Sequence, residues 1–184
     1  MSKKASHADN QQERLIKMGW VVGFVDGEGC FSIHFVKQSD KIEKNRIRKG
    51  YRAGYQIAHS FVVVQGAKSI ESLKRLKKFF RVGGIHINRR HDNHKEYLYR
   101  YSVGKRDDLL KVIIPFFKKY KLKTSKRNDF DLFRKCLLLM KENKHLSKNG
   151  AIKIALMCEK MNHKKSRSKL ISILRNQTSD STVK

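Results

Sequence analysis

Residues 20–29 read Trp-Val-Val-Gly-Phe-Val-Asp-Gly-Glu-Gly, and no other segment constrains the chain as tightly. Gly19, Gly23 and Gly27 recur at every fourth position, so on a helix they share one face. Glycine inside a helix costs about 1 kcal/mol relative to alanine. A stripe of them fits a surface that another backbone must approach closely. The bland alternative is a core helix with incidental glycines. Against it stands Glu28, an acid set between Gly27 and Gly29 at the end of the apolar run.

Two such helices packed along their glycine faces, from two halves of a molecule or from two subunits, would bring two Glu28 carboxylates together. Like charges at that distance repel. Each carboxylate also lies at the partly negative C-terminal end of its own helix. A divalent cation relieves both penalties, and carboxylate and carbonyl oxygens suit a hard ion such as Mg²⁺. A metal between carboxylates in a strongly basic chain points to phosphodiester hydrolysis.

Val21–Gly29 resembles the LAGLIDADG motif of homing endonucleases, with Gly23, Asp26, Gly27, Glu28 and Gly29 at the diagnostic positions. The resemblance extends over residues 14–140 as an order of elements. Only one copy of Gly-x-x-Asp-Gly-Glu-Gly occurs, which in this family implies a homodimer. The last acid is Glu rather than Asp; the family uses both, and both bind Mg²⁺. The resemblance implies a homodimeric, Mg²⁺-dependent DNA endonuclease (Mn²⁺ or Ca²⁺ substituting for binding) that cuts a long near-palindromic site. It further implies a staggered cut across a minor groove with 3′ overhangs, and a gene inside an intron. The expected location is the cytoplasm or nucleoid of a bacterium, or the interior of a chloroplast or mitochondrion. Two other roles stay open on the same scaffold: an RNA maturase acting with its host intron RNA, and a non-catalytic DNA-binding regulator. Glu28 is intact, which favours the enzyme.

Composition narrows the partners independently. Lys and Arg number 43 against 16 Asp and Glu, a net charge of +27 in 184 residues. That excess points to a polyanion, for which the resemblance implies double-stranded DNA. A membrane role would need a long basic amphipathic helix or a run of about 18 apolar residues, and neither is present. Met1–Arg14 is polar and has no signal-peptide core. Cys30, Cys136 and Cys158 are odd in number and widely spaced, which suggests neither zinc nor a disulfide framework. His91 and His94 are read as part of a solvated turn.

Hydrophobic periodicity gives an α+β chain with the order helix, strand, strand, helix, strand, strand, helix. Residues 12–27 form the first helix. Phe31, Ile33 and Phe35 alternate with Ser32 and His34 in a strand. Residues 37–54, with seven Lys and Arg, two acids and two glycines, are a mobile basic loop or hairpin tip. Gln56–Val64 is the second strand, with His59 on its core side. Residues 67–80 are an amphipathic helix ended by Gly83 and Gly84. Strands around Ile85–Arg90 and Tyr97–Val103 follow. Asp107 and Asp108 open a helix to about Pro115 or Phe117, and Ser125 caps another carrying Phe130, Phe133, Leu137 and Met140. The expected fold is the αββαββα core of LAGLIDADG homing endonucleases, with a four-stranded antiparallel saddle-like sheet. Residues 1–140 form that core. Residues 141–184, with eleven Lys and Arg against three acids, form a basic helical extension of the same domain. In it Ala151–Met161 and Leu170–Arg175 are helical, Lys164, Lys165 and Arg167 offer phosphate contacts, and Gln177–Lys184 is expected to be disordered.

Glu28 is the expected metal ligand. By resemblance the carbonyl of Gly27 joins it, and Asp26 braces the helix ends. Gly19, Val22, Gly23 and Asp26 are assigned to the dimer interface. By resemblance Gln65 positions water, and a lysine before the last core helix stabilises charge at the scissile phosphate; Lys123 and Lys126 both qualify. The sheet face opposite the helices carries Ser32, His34, Gln38, Gln56, Ser60, His86, Asn88, Arg90 and Arg100. Such side chains read base edges in the major groove.

Overall fold

A computed structural model of the protein describes residues 7–38, 41–43, 46–48, 54–88, 97–162 and 166–176. The elements run α1 (His7–Glu28), β1 (Gly29–Lys37), β2 (Lys41–Glu43), β3 (Arg46–Arg48), β4 (Tyr55–Gly66), a 3₁₀ turn, α2 (Ile70–Phe80), β5 (Gly84–Asn88) and β6 (Leu98–Val103). After them come α3 (Arg106–Asp108), a π turn (Leu109–Ile113), α4 (Ile114–Lys119), α5 (Lys126–Lys141), a 3₁₀ turn, α6 (Lys148–Glu159) and α7 (Ser168–Asn176). One sheet has the order β1-β4-β6-β5; β2 and β3 form a separate antiparallel pair. The chain divides into two compact units, residues 1–30 with 61–127 and residues 31–60 with 128–184. The C-terminal helices group with β1 and the start of β4.

In the first unit β4 pairs with β6 and β6 with β5, both antiparallel, with Arg100 opposite Val64 on one side and His86 on the other. Alternate side chains point to opposite faces of a strand. Phe61, Val63, Tyr101 and Val103 are therefore buried together with Leu73, Leu76 and Phe80 of α2. Phe61 meets Phe80, Tyr101 and Phe117 edge to face at 5.9–6.2 Å between ring centres. Such pairs add to simple area burial. α2 ends on Arg81, itself left-handed at φ 58°. Gly83 follows at φ 78°, where a Cβ would lie 2.5 Å from the Ser102 carbonyl oxygen, so this position requires glycine. The helix expected from Asp107 is real, but it is broken by a π turn just before Pro115. Proline has no N–H to give the preceding turn, and a wider turn accommodates the missing bond.

The second unit has its own core. Phe31 packs on Phe130 and Phe133 of α5 at 5.3 and 5.5 Å. Ile33, Ile57, Leu137, Met140, Ile154, Ile171 and Leu174 are buried in the same unit. Ser147 caps α6 by accepting from the Gly150 amide at 3.1 Å. Asn162 donates its side-chain amide to the Phe31 carbonyl at 3.1 Å and its backbone N–H to Asp129 at 2.9 Å, fixing the end of α6. Cys136 and Cys158, widely separated in sequence, share a thiol hydrogen bond; that bond and burial push the Cys136 thiol up. Arg167 is half-buried, with its amide on Glu159 at 2.7 Å and its positive charge near Cys158. Lys164 and Lys165 lie outside the described residues, as do residues 177–184 and the segment His91–His94.

Candidate active site

The site is built at the C-terminal end of α1. Met18, Val21 and Val25 are buried along one side of this helix. Gly19, Gly23 and Gly27 are exposed on the other, and a Cβ at any of them would meet no atom within 4 Å. The stripe is therefore open, as close approach by a second backbone requires. Val22 is half-buried beside it.

The two acids at the helix end have different surroundings. Asp26 is 9% exposed and turned into its own chain. Its carboxylate accepts from the Lys123 amide at 2.6 Å, the Thr124 amide at 3.2 Å and the Thr124 hydroxyl at 2.6 Å. Burial pushes this carboxyl up, but the Thr124 hydroxyl, the two amides and the nearby Lys126 ammonium outweigh it and hold the group below its ordinary value. Asp26, expected by resemblance to brace the helix ends, here ties the end of α1 to the loop before α5. The carboxylate assigned to the dimer interface finds its partners inside the chain, 97 and 98 residues away in sequence. Glu28, the last residue of α1, is exposed.

The loop held by Asp26 aims a cation at the helix end. Thr124, whose hydroxyl donates to Asp26, accepts from the Lys126 amide at 3.3 Å and so starts α5; the cap expected of Ser125 is filled by its neighbour. The Lys126 ammonium then donates to the carbonyls of Gly27 at 2.9 Å and Val25 at 3.2 Å. Of the two candidate lysines, Lys126 thus reaches the site with its side chain, while Lys123 contributes its backbone amide. Thr124 was missed by sequence reasoning. The only signal was a threonine two residues before a predicted helix, and that does not say which distant carboxylate it meets.

The donor chemistry fits a hard cation. Glu28 offers an exposed carboxylate, and Gly27 offers a carbonyl that already draws a positive group to within 2.9 Å. Among the described residues no group of three or more His, Cys, Asp or Glu could hold a metal, so further oxygens have to come from outside this cluster.

Gln65 lies opposite Tyr99 in the β4–β6 register, half-buried, on the same parity as Phe61 and Val63. Of the residues expected to read bases, Ser32, His34, Gln38, Gln56 and Ser60 share the outward parity of their strands in the second unit. Ser32 and Ser60 are hydroxyl to hydroxyl at 3.0 Å, and Gln38 donates to the Gln56 side chain at 3.2 Å. In the first unit His86 and Arg100 are exposed cross-strand partners, and Asn88 is half-buried opposite Leu98. Arg90 lies outside the described residues.

The LAGLIDADG endonuclease family model matches residues 21–137, from the glycine stripe through most of α5. The chain belongs to the LAGLIDADG endonuclease family. The Neurospora crassa protein "Probable intron-encoded endonuclease 2" is 33% identical over 135 residues, which are 73% of this chain and 25% of that protein. The chain spans about a quarter of the length of that relative. Among solved structures, the homing endonuclease I-TnaI is 35% identical with a TM-score of 0.69, covering 88% of this chain and 97% of its own. I-SmaMI, solved on an uncleaved DNA target with calcium ions, is 33% identical with a TM-score of 0.68; the match covers 83% of this chain and 47% of I-SmaMI. Helix, two long strands, helix and two strands in this LAGLIDADG chain are the αββαββ order expected from its sequence. No helix among the described residues is long and apolar enough to cross a membrane.

Proposed function

We propose that this LAGLIDADG chain is a site-specific double-strand DNA endonuclease that acts as a homodimer with Mg²⁺. The observation that carries the reading is the pairing of an open glycine stripe with an exposed carboxylate at its end. Two copies packed along Gly19 and Gly23 bring two Glu28 side chains to one place. Glu28 and the Gly27 carbonyl are the ligands the chain offers. A bound divalent cation supplies Lewis-acid polarisation of the scissile phosphate and acidifies water. Lys126, whose ammonium lies at the end of α1 beside Gly27, is the candidate for stabilising the charge that develops on that phosphate as the bond breaks. Gln65 is the candidate for orienting water. I-SmaMI, also solved on cleaved DNA, supports the choice of substrate.

Outward side chains of the two units supply base readout. His34, Gln56, His86 and Arg100 are exposed and carry the donors and acceptors that base edges match. The net charge of +27 supplies affinity without sequence information. The experiment is selection from a random duplex library in Mg²⁺, sequencing the cut ends. A single long near-palindromic site with staggered ends is expected. Non-specific nicking, or binding without cutting in any divalent ion, would overturn the reading.

A further inference from the structure

A lysine in the first turn of α5 is electrostatically misplaced, because a helix N-terminus is partly positive. Lys126 nevertheless sits there, and its ammonium turns back to the opposite kind of helix end. The last carbonyls of α1 have no partner within the helix and carry partial negative charge. Lys126 donates to two of them, Val25 and Gly27. The side chain is also delivered by a stiff clip, since Asp26 holds the Lys123 and Thr124 amides and the Thr124 hydroxyl, and that hydroxyl accepts from the Lys126 amide. The Gly27 oxygen is the same atom that the proposed function assigns to the divalent cation.

We infer that Lys126 is an internal cation that holds the Gly27 carbonyl and is displaced from it when a divalent ion binds there. This rests on the reading of Glu28 and Gly27 as the ion's ligands. A carbonyl has two lone pairs, but a single and a double positive charge within about 4 Å of each other repel. Either cation caps α1; both together do not. Entry of the ion therefore releases the ammonium, which swings on its four-carbon stem towards the substrate phosphate. The lysine becomes available to the phosphate only when the site is loaded, so loading and charge stabilisation are coupled in order.

The test is Mn²⁺ binding to the full chain by electron paramagnetic resonance, comparing wild type, Lys126→Met, Lys123→Met and Glu28→Gln. Losing a competing charge-assisted bond should tighten Mn²⁺ binding in Lys126→Met by about tenfold. Lys123→Met removes a charge from the same loop without touching the carbonyl, and should stay within about twofold of wild type. Unchanged or weaker binding in Lys126→Met, or equal tightening in both lysine variants, would overturn the displacement. Glu28→Gln separates the underlying reading: wild-type affinity there removes Glu28 as ligand, and the displacement proposal falls with it. Amine acetylation of the wild-type protein, read by mass spectrometry, needs no variant. Lys126 should label several-fold faster in saturating Mn²⁺ than in chelator, with exposed Lys74 unchanged; equal labelling of Lys126 in both contradicts the proposal.

Discussion

Along one side of α1, Met18, Val21 and Val25 are buried and Asp26 is clamped by the loop before α5. Along the other, Gly19, Gly23 and Gly27 face open space, and Glu28 stands exposed at the end. The first side is complete within one chain: its apolar groups are packed and its carboxylate has three hydrogen-bonded partners. The second side is open, and the proposed function fills it with a second backbone against the glycines and a cation against the carboxylate. Of three consecutive residues, Asp26 holds the fold, while Gly27 and Glu28 are the ones the proposed function assigns to chemistry. The residue type alone does not decide which acid does which; the distance to Thr124 does.

That contrast can be broken from either side. The largest effect should come from Gly23→Leu, which fills the open stripe and keeps the second backbone away. Sedimentation should find the variant at half the wild-type mass, with cleavage lost. An unchanged dimer, or a wild type already monomeric on DNA, would place the contact elsewhere.

Asp26→Ala attacks the closed side. It leaves two amides and a hydroxyl without their acceptor, and unfolding stability at pH 7 should fall by roughly 2–4 kcal/mol, read from urea denaturation. The carboxyl is held below its ordinary value of 3.8, so its contribution is fully present above that pH and is lost as pH falls through the lower folded value. The gap between wild type and variant should therefore be flat from pH 7 to 5 and shrink below about pH 4. A gap that persists undiminished in stronger acid would mean packing rather than the charge was lost.

The smallest effect belongs to the sheet. Arg100→Ala should leave the fold and the cut itself intact and relax base preference at one position of each half-site. The discrimination lost is about 1–3 kcal/mol, profiled over a substituted target library. A uniform loss of affinity at all sites would instead assign Arg100 to phosphate.

The elements dominated by local pattern were legible in the sequence. Alternation in β1 and β4 gave an inward set of which Phe31, Ile33, Ile57, Phe61 and Val63 are buried and Phe35 and His59 half-buried, because strand parity depends only on neighbours. Leu73, Leu76 and Phe80 gave the buried face of α2 for the same reason. Boundaries were less exact. α1 starts at His7 rather than residue 12, where a run of polar residues offers no cap or apolar turn to mark entry. The basic segment 37–54, read as a loop or hairpin tip, holds the antiparallel pair β2 and β3, whose three-residue strands are too short for a period to set their bounds. In the site, the glycine stripe and Glu28 could be read directly. The clamp could not, since Asp26 and Thr124 are 98 residues apart and only the folded chain brings them together. The choice between Lys123 and Lys126 failed on sequence for that reason too: three residues of spacing in a loop do not determine which ammonium turns towards α1.

The central claim is that the exposed acid, not the buried one, carries the reaction, and Glu28→Gln tests it most directly. The amide keeps the shape of the side chain and removes the charge. On a target selected with wild type, cleavage in Mg²⁺ should be abolished, while binding to the same duplex measured in Ca²⁺ stays within a few-fold of wild type. Cleavage near the wild-type rate would contradict the account, whatever the fate of the dimer.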